Sequence, residues 1–460
     1  MKRLAALFAA TILLLLSGCA VSGTMPDTLP APGSTGLYRV AVDASGSFVV
    51  TPYTPAPQPT VTVTASPSPT ATPTPTPTPT PIRVFSVKDY GAHGDGTTDD
   101  VAHIQSAIAA AGRTPVYFPA GTYKLSSTLT VPNGTTLVGA GMATVWLKGK
   151  VVFGSSSSFT DLKMGDAHYA TQNGSGASTT SFTRCQFRGG GGTGVDGPVL
   201  RLGSSNSCDH LTFTDCNVER NLGTENSTLS LGYNDIGLVE RTDVHCAHIT
   251  FTRCHIGVTN GVATGSPRFG CECYTDANDT HSYSYDHVTF DTCIFEQTDA
   301  GNLDLADSLA SSASYCIVTG CTFKGAGLTH IKWGHALCVE LPATTYVTNN
   351  TFWGSWLSSL MVTNSSGQTG TAAAQITGNT FNLTQGVATS GDAPIVLKDA
   401  GNVFTGNTID GNHGTSTIIA LWNATGNTVT GNTFTNRGAA TAIHEYTGCS
   451  GNTLTPNTGT

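Results

Sequence analysis

Ten stretches of the chain share one pattern of apolar and polar positions: apolar, Thr, any residue, Cys or Asn, any residue, apolar, with single departures such as Leu162 and Asp291. It runs from Phe159–Met164 through Phe182–Phe187, Phe213–Val218, Phe251–Ile256, Phe290–Phe295, Val318–Phe323, Val347–Phe352, Ile376–Phe381 and Phe404–Ile409 to Val429–Phe434, and Ser450–Leu454 is a partial copy. Short alternating runs of this kind predict strands, and their return at near-regular intervals predicts a coil whose turns stack on one another. Identical positions then lie one strand spacing apart, about 4.8 Å, so every column of the alignment becomes a ladder. The Phe and Val columns fill the interior. The fourth column holds Cys185, Cys216, Cys254, Cys293 and Cys321, then Asn350, Asn379, Asn407, Asn432 and Asn452. A buried amide at a turn passes hydrogen bonds from rung to rung. The cysteines of the same column are expected to be free buried thiols, because parallel Cβ vectors suit a disulfide poorly.

The intervals in this column are informative. They are 31, 38 and 39 residues from Cys185 to Cys293, then 28 or 29 as far as Asn407, then 25 and 20 at the tapering end. Extra residues leave a stacked coil as loops on one face, which makes 219–247 and 257–286 the expected walls of a cleft. Three residues past the ladder the side chain faces out. That column places Glu219, Gly257 and Glu296 on successive rungs, with the two glutamates about 9 to 10 Å apart along the axis, a spacing compatible with an acid and base pair. A second column, His210, His248 and His287, lies six residues before the ladder and is either a metal-binding or acid–base stack or simply a polar edge.

Before the repeats, Val101, Ile104, Ala107, Ile108 and Ala111 fall at helical spacing, Gly112 stops the helix, and Thr98, Asp99 and Asp100 are expected to cap it. Strand pattern resumes at Val116–Phe118. The run Asp89-Tyr-Gly-Ala-His-Gly-Asp-Gly-Thr-Thr-Asp-Asp100, then Val116-Tyr-Phe-Pro-Ala-Gly-Thr-Tyr123 and Thr136-Leu-Val-Gly-Ala-Gly141, resembles the opening of the pectate lyase superfamily, whose members include rhamnogalacturonase-like, epimerase-like and phage tailspike proteins. The resemblance implies an all-β right-handed parallel β-helix with a short N-terminal capping helix. Polygalacturonase-type members carry paired-Asp and Gly-His-Gly signatures, which Asn302-Leu-Asp304 and Gly334-His-Ala336 only graze.

The chain opens with a basic Met1–Arg3, an apolar Leu4–Leu16 and Leu16-Ser-Gly-Cys19, the pattern of an export signal with a lipobox. This predicts a signal over 1–19 with Cys19 as the lipidation site, a Pro/Thr-rich stalk over 20–81 and a β-helix domain over 83–460. Within the stalk, Leu37–Val50 has the pattern of a small hairpin. The protein is therefore expected to be exported and held at the cell surface or envelope by its lipid.

Charge narrows the partners. The domain carries 18 Lys and Arg against 28 Asp and Glu, near −10, which argues against nucleic acid. It also disfavours polyanionic glycans unless a cation such as Ca²⁺ bridges the two acidic surfaces. Cys271-Glu-Cys273 lacks the second ligand pair of a zinc site. The candidate catalytic residues are Glu219, Glu296, Asp299 and Asp304. Lys332, Trp333, His335, Trp353 and Trp356 offer a cation and flat faces for binding sugar. The expected function is cleavage or modification of a polysaccharide as a lyase or hydrolase. The alternative is a non-catalytic glycan-binding adhesin or a tailspike-like fibre.

Overall fold

A computed structural model describes residues 38–42, 48–52, 85–165, 167–169, 179–188, 200–202, 208–219, 229–231, 244–257, 269–273, 283–298, 301–306, 315–326, 335–340, 344–355, 357–363, 374–383, 393–412 and 414–459. The chain divides into two compact units, 1–80 and 81–460. In the first, Tyr38–Val42 pairs antiparallel with Phe48–Pro52, the hairpin expected from the alternation there. Cys19 and the Thr-Pro repeats lie outside the described residues.

The second unit is a right-handed parallel β-helix of three sheets. One sheet holds the strands that precede the Cys/Asn ladder, such as Thr180–Thr183, Cys208–Thr214 and Val288–Asp291. The second holds the strands that follow it, such as Gln186–Arg188, Asn217–Glu219, His255–Gly257 and Ile294–Thr298. The third, here the return sheet, holds Leu229–Leu231, Phe269–Cys273, Gly301–Ala306 and Leu337–Glu340 among others. Neighbouring coils pair in parallel and in register, Phe182 with Phe213 and Phe213 with Phe251. Register forces the interior phenylalanines face to face, with centroids 4.8 Å apart for Phe182–Phe213 and 4.6 Å for Phe213–Phe251. Isolated rings prefer offset or edge contacts, so the strand spacing sets this geometry and burial stabilises it by about 2–3 kcal/mol per ring.

The turn between the first two sheets is uniform. The residue just before the ladder is left-handed on every rung: Asp161, Arg184, Asp215, Arg253 and Thr292 have φ between 51° and 58°, and Gly320, Asn349 and Gly378 continue the column. The ladder residue then satisfies the backbone of the preceding rung. Cys185 N donates to Cys216 Sγ at 3.4 Å, Cys321 N to Asn350 Oδ1 at 2.8 Å, and Asn350 N to Asn379 Oδ1 at 2.8 Å. All five ladder cysteines are free and buried.

Two expectations need correction. Helix Val101–Ala111 has its predicted buried face and Gly112 stop, but Thr98 is not its cap. Thr98 belongs to strand Asp95–Asp99, where its hydroxyl donates to Asp95, and Asp100 occupies the cap position. The buried Asp100 carboxylate instead accepts the His93 and Gly94 N–H groups, which ties the glycine turn to the helix start. At the other end, Asn432 is followed by Asn457 and not Asn452: Asn432 N donates to Asn457 Oδ1 at 2.9 Å across 25 residues. Asn452 belongs to a second ladder, Asn402, Asn427 and Asn452. Two Asn ladders five residues apart carry similar Gly-Asn-Thr words, and the alignment by sequence stepped from one to the other.

Candidate functional site

In the strands after the ladder the second side chain is buried, as Val218, Ile256, Phe295 and Phe323 are, so the positions on either side belong to the outer face, where Gly257 alone of the glutamate column is buried. Register gathers the third positions into one outward column, Arg188, Glu219, Gly257, Glu296, Lys324 and Trp353. Glu219 and Glu296 stand two rungs apart as the sequence spacing predicts, about 9.5 Å between backbones. Between them Gly257 has φ 128°, and a Cβ there would lie 2.0 Å from the Glu296 carbonyl oxygen. Only glycine fits, because the space a side chain would take is filled by the Glu296 backbone. From the first position of the middle rung, His255 reaches across the step. Its Nε2 lies 3.2 Å from Glu296 Oε2, with the pair 15% and 25% exposed. Beyond Glu296 come a half-buried Lys324 and Trp353, whose exposure is 41%.

Towards the N-terminal cap the same face is basic. Lys124 pairs in register with Lys148, and the amines of Lys148 and Lys163 each lie 5.5 Å from the Trp146 ring. A hollow of about 460 Å³ there is lined by Gly96, Thr97, Lys124, Leu125, Lys148 and Gly149. The lysines are balanced in part by the exposed Asp95 and Asp99 of the first strand, Asp99 in register with Lys124.

Asp304 and His335 belong to a different surface, the return sheet. Asp304 faces out between Leu303 and Leu305, in register with Glu272 and Cys338. The Cys338 thiol is 3.5 Å from Glu340 Oε1, and burial pushes both the Cys338 thiol and the Glu340 carboxyl up. His335 is buried with its Nδ1 2.8 Å from Ser358 Oγ, and burial pushes the ring down to about 4. A neutral, enclosed imidazole of this kind packs the coil, so the expectation of His335 on a glycan-facing surface is corrected. Asp299, Lys332, Trp333 and Trp356 lie outside the described residues.

Residues 84–293 match the family described as rhamnogalacturonase A/epimerase, pectate lyase-like, and residues 270–434 match the right-handed β-helix region. The domain is a pectate lyase-like β-helix. Over 74 residues it is 46% identical to mannuronan C5-epimerase AlgE3 of Azotobacter vinelandii, a match covering 14% of this chain and 4% of that protein. The fold superposes on the A-module of the epimerase AlgE4 of the same organism with TM-score 0.56 and 16% identity, covering 81% of this chain and all of that one. It superposes on PfbA, a surface adhesin of Streptococcus pneumoniae, with TM-score 0.54 and 14% identity, covering 78% and 91% of the two chains. At these identities the solved structures establish the fold.

Within this pectate lyase-like domain the sequence reading reached Glu219, Gly257 and Glu296 but not Arg188, Lys324 or His255. The signal for the first two was present: Arg188 follows Cys185, and Lys324 follows Cys321, by the same three residues. Carrying the column one rung further each way finds them. His255 had no such signal, because its contact with Glu296 crosses from one column and one rung to the next.

Proposed function

We propose that this domain is a carbohydrate-active enzyme that cleaves a polysaccharide across the outer face of the post-ladder sheet, displayed at the cell surface by a lipid on Cys19 and the Thr-Pro segment. The observation that carries the reading is the register of Glu219, Gly257 and Glu296, with His255 on the second carboxylate. A glycosidic bond laid over the Gly257 rung, where no side chain stands between the two glutamates, has one carboxyl group on each side. Glu219 then donates a proton to the leaving oxygen while Glu296, oriented by His255, takes a proton from the attacking water, the division of labour of an inverting hydrolase. Trp353 supplies a flat face for a sugar ring, and Arg188 and Lys324 in the same column bind hydroxyl or carboxylate groups.

Incubating the full chain with a panel of glycans separates the chemistries, since hydrolysis releases reducing ends and β-elimination releases unsaturated ends that absorb in the ultraviolet. Glu219→Gln and Glu296→Gln are each expected to lower turnover by about 10²-fold or more. Activity unchanged in both variants refutes the assignment. A second reading, a non-catalytic adhesin, is favoured by the Trp422–Tyr446 stack on the return sheet, 3.9 Å between centroids with Trp422 exposed. Glycan retention without turnover would select it.

A further inference from the structure

The coils that carry Glu219, Gly257 and Glu296 also carry His210, His248 and His287, on the outer edge of the pre-ladder sheet. The imidazoles stack in order, 4.4 Å and 21° for the first pair and 4.7 Å and 18° for the second, and Tyr315 closes the column edge-on at 4.3 Å from His287. All three histidines hold left-handed backbone, with φ between 51° and 54°. Non-glycine residues adopt this conformation infrequently, so the fold commits backbone to holding these rings in line.

Beside the stack, Asp209 Oδ1 lies 2.8 Å from the Nδ1 of both His210 and His248. The three donor atoms lie within 4.8 Å of one another, which among the described residues makes this the group with metal-ligand spacing. The three side chains are about 40% exposed, and the His210 Nδ1 is turned inward, so an ion reaches it once the ring tilts. The donor chemistry is specific. Two imidazole nitrogens and one carboxylate oxygen form the three-protein-ligand set of a tetrahedral zinc site with its fourth position left to water. Calcium and magnesium prefer an all-oxygen shell, which this cluster does not provide.

The geometry points to a zinc-binding site formed by Asp209, His210 and His248, which staples the coil of Glu219 to the coil of Gly257. Tetrahedral ligands around zinc stand about 3.3 Å apart, given zinc–nitrogen bonds of about 2.0–2.1 Å. The two 2.8 Å oxygen–nitrogen contacts open by about half an ångström, while the two ring nitrogens, within 4.8 Å of each other, settle at the same spacing as the stacked rings tilt to turn both lone pairs on the ion. Neutral rings keep their proton count on binding: the proton leaves Nδ1 for Nε2 as Nδ1 turns its lone pair to the ion.

Cobalt(II) is the probe, added to the chelator-stripped full chain and then displaced by zinc. The site is expected to bind one Co²⁺ with visible d–d bands and no thiolate charge-transfer absorption, and Ca²⁺ in excess should not displace it. His210→Asn and His248→Asn keep a residue that tolerates left-handed backbone. Each of these, and Asp209→Asn, should weaken Co²⁺ binding at least about tenfold with the far-ultraviolet circular dichroism unchanged. His444→Gln, on the return sheet, should leave it as in the parent. Absent d–d bands, bands that persist at parental affinity in folded His248→Asn, or a sulfur charge-transfer band would each overturn the proposal.

Discussion

The two halves of the ladder perform one task with different atoms. From Cys185 to Cys321 a buried thiol sits between coils, while from Asn350 to Asn457 an amide does. In the amide half each side chain is used on both sides: Asn379 Oδ1 accepts Asn350 N at 2.8 Å and Asn350 Nδ2 at 3.0 Å, while its own Nδ2 donates to Val347 O and Asn407 Oδ1. In the thiol half the bonds are long and weak, such as Cys216 Sγ to Phe182 O at 3.6 Å. There the outward positions instead carry the specific contacts. Bidentate pairs link the turns, Arg184 to Asp161 and Arg253 to Asp215, and the glutamate and histidine columns occupy the same coils. The amide half is held from within and has coils of nearly constant length. The thiol half has the long connections and the candidate chemistry, which its outward columns and apolar interior keep in register.

The comparison can be broken most severely at Gly257. Gly257→Val drives a side chain into the Glu296 backbone in the middle of the thiol half, and the loss should exceed about 3 kcal/mol. Thermal unfolding measures it, and a midpoint unchanged from the parent would mean that this close approach does not exist in solution.

At the junction of the halves, His335 gives a pH-dependent term. Its folded pKa of about 4 lies below the ordinary 6.5, so the unfolded chain takes up a proton first as pH falls. The stabilisation is whole above pH 6.5 and declines towards pH 4, by on the order of 3 kcal/mol. His335→Gln, which can keep a hydrogen bond to Ser358, should flatten that part of the urea midpoint's fall between pH 7 and 4.5. A slope identical to the parent would show that the ring is hydrated in the folded state.

The smallest effect separates the two ladders directly. Asn379→Ala leaves the buried Asn350 N–H and Val347 C=O of the preceding coil without partners and should cost about 2–3 kcal/mol. Cys216→Ala removes a small, weakly bonded side chain and should cost about 1–2 kcal/mol. Chemical denaturation of the pair reads the difference, and equal losses would erase the distinction between thiol and amide.

Much of this was present in the one-dimensional pattern. A side-chain period of two, interrupted by Thr-x-Cys or Thr-x-Asn at regular intervals, determines which residues face in, and stacking then fixes that Glu219, Gly257 and Glu296 share a column, because a parallel coil repeats position for position. The capping helix was likewise written in its apolar spacing. Tertiary structure alone decided what crosses columns: the His255–Glu296 contact, the single Asp209 oxygen between two histidines, the burial of His335 and the separation of two Asn ladders five residues apart. Sequence periodicity reports neighbours along the coil axis. It carries no information on diagonal reach, which depends on side-chain length and on how far each coil is rotated and bulged relative to the next.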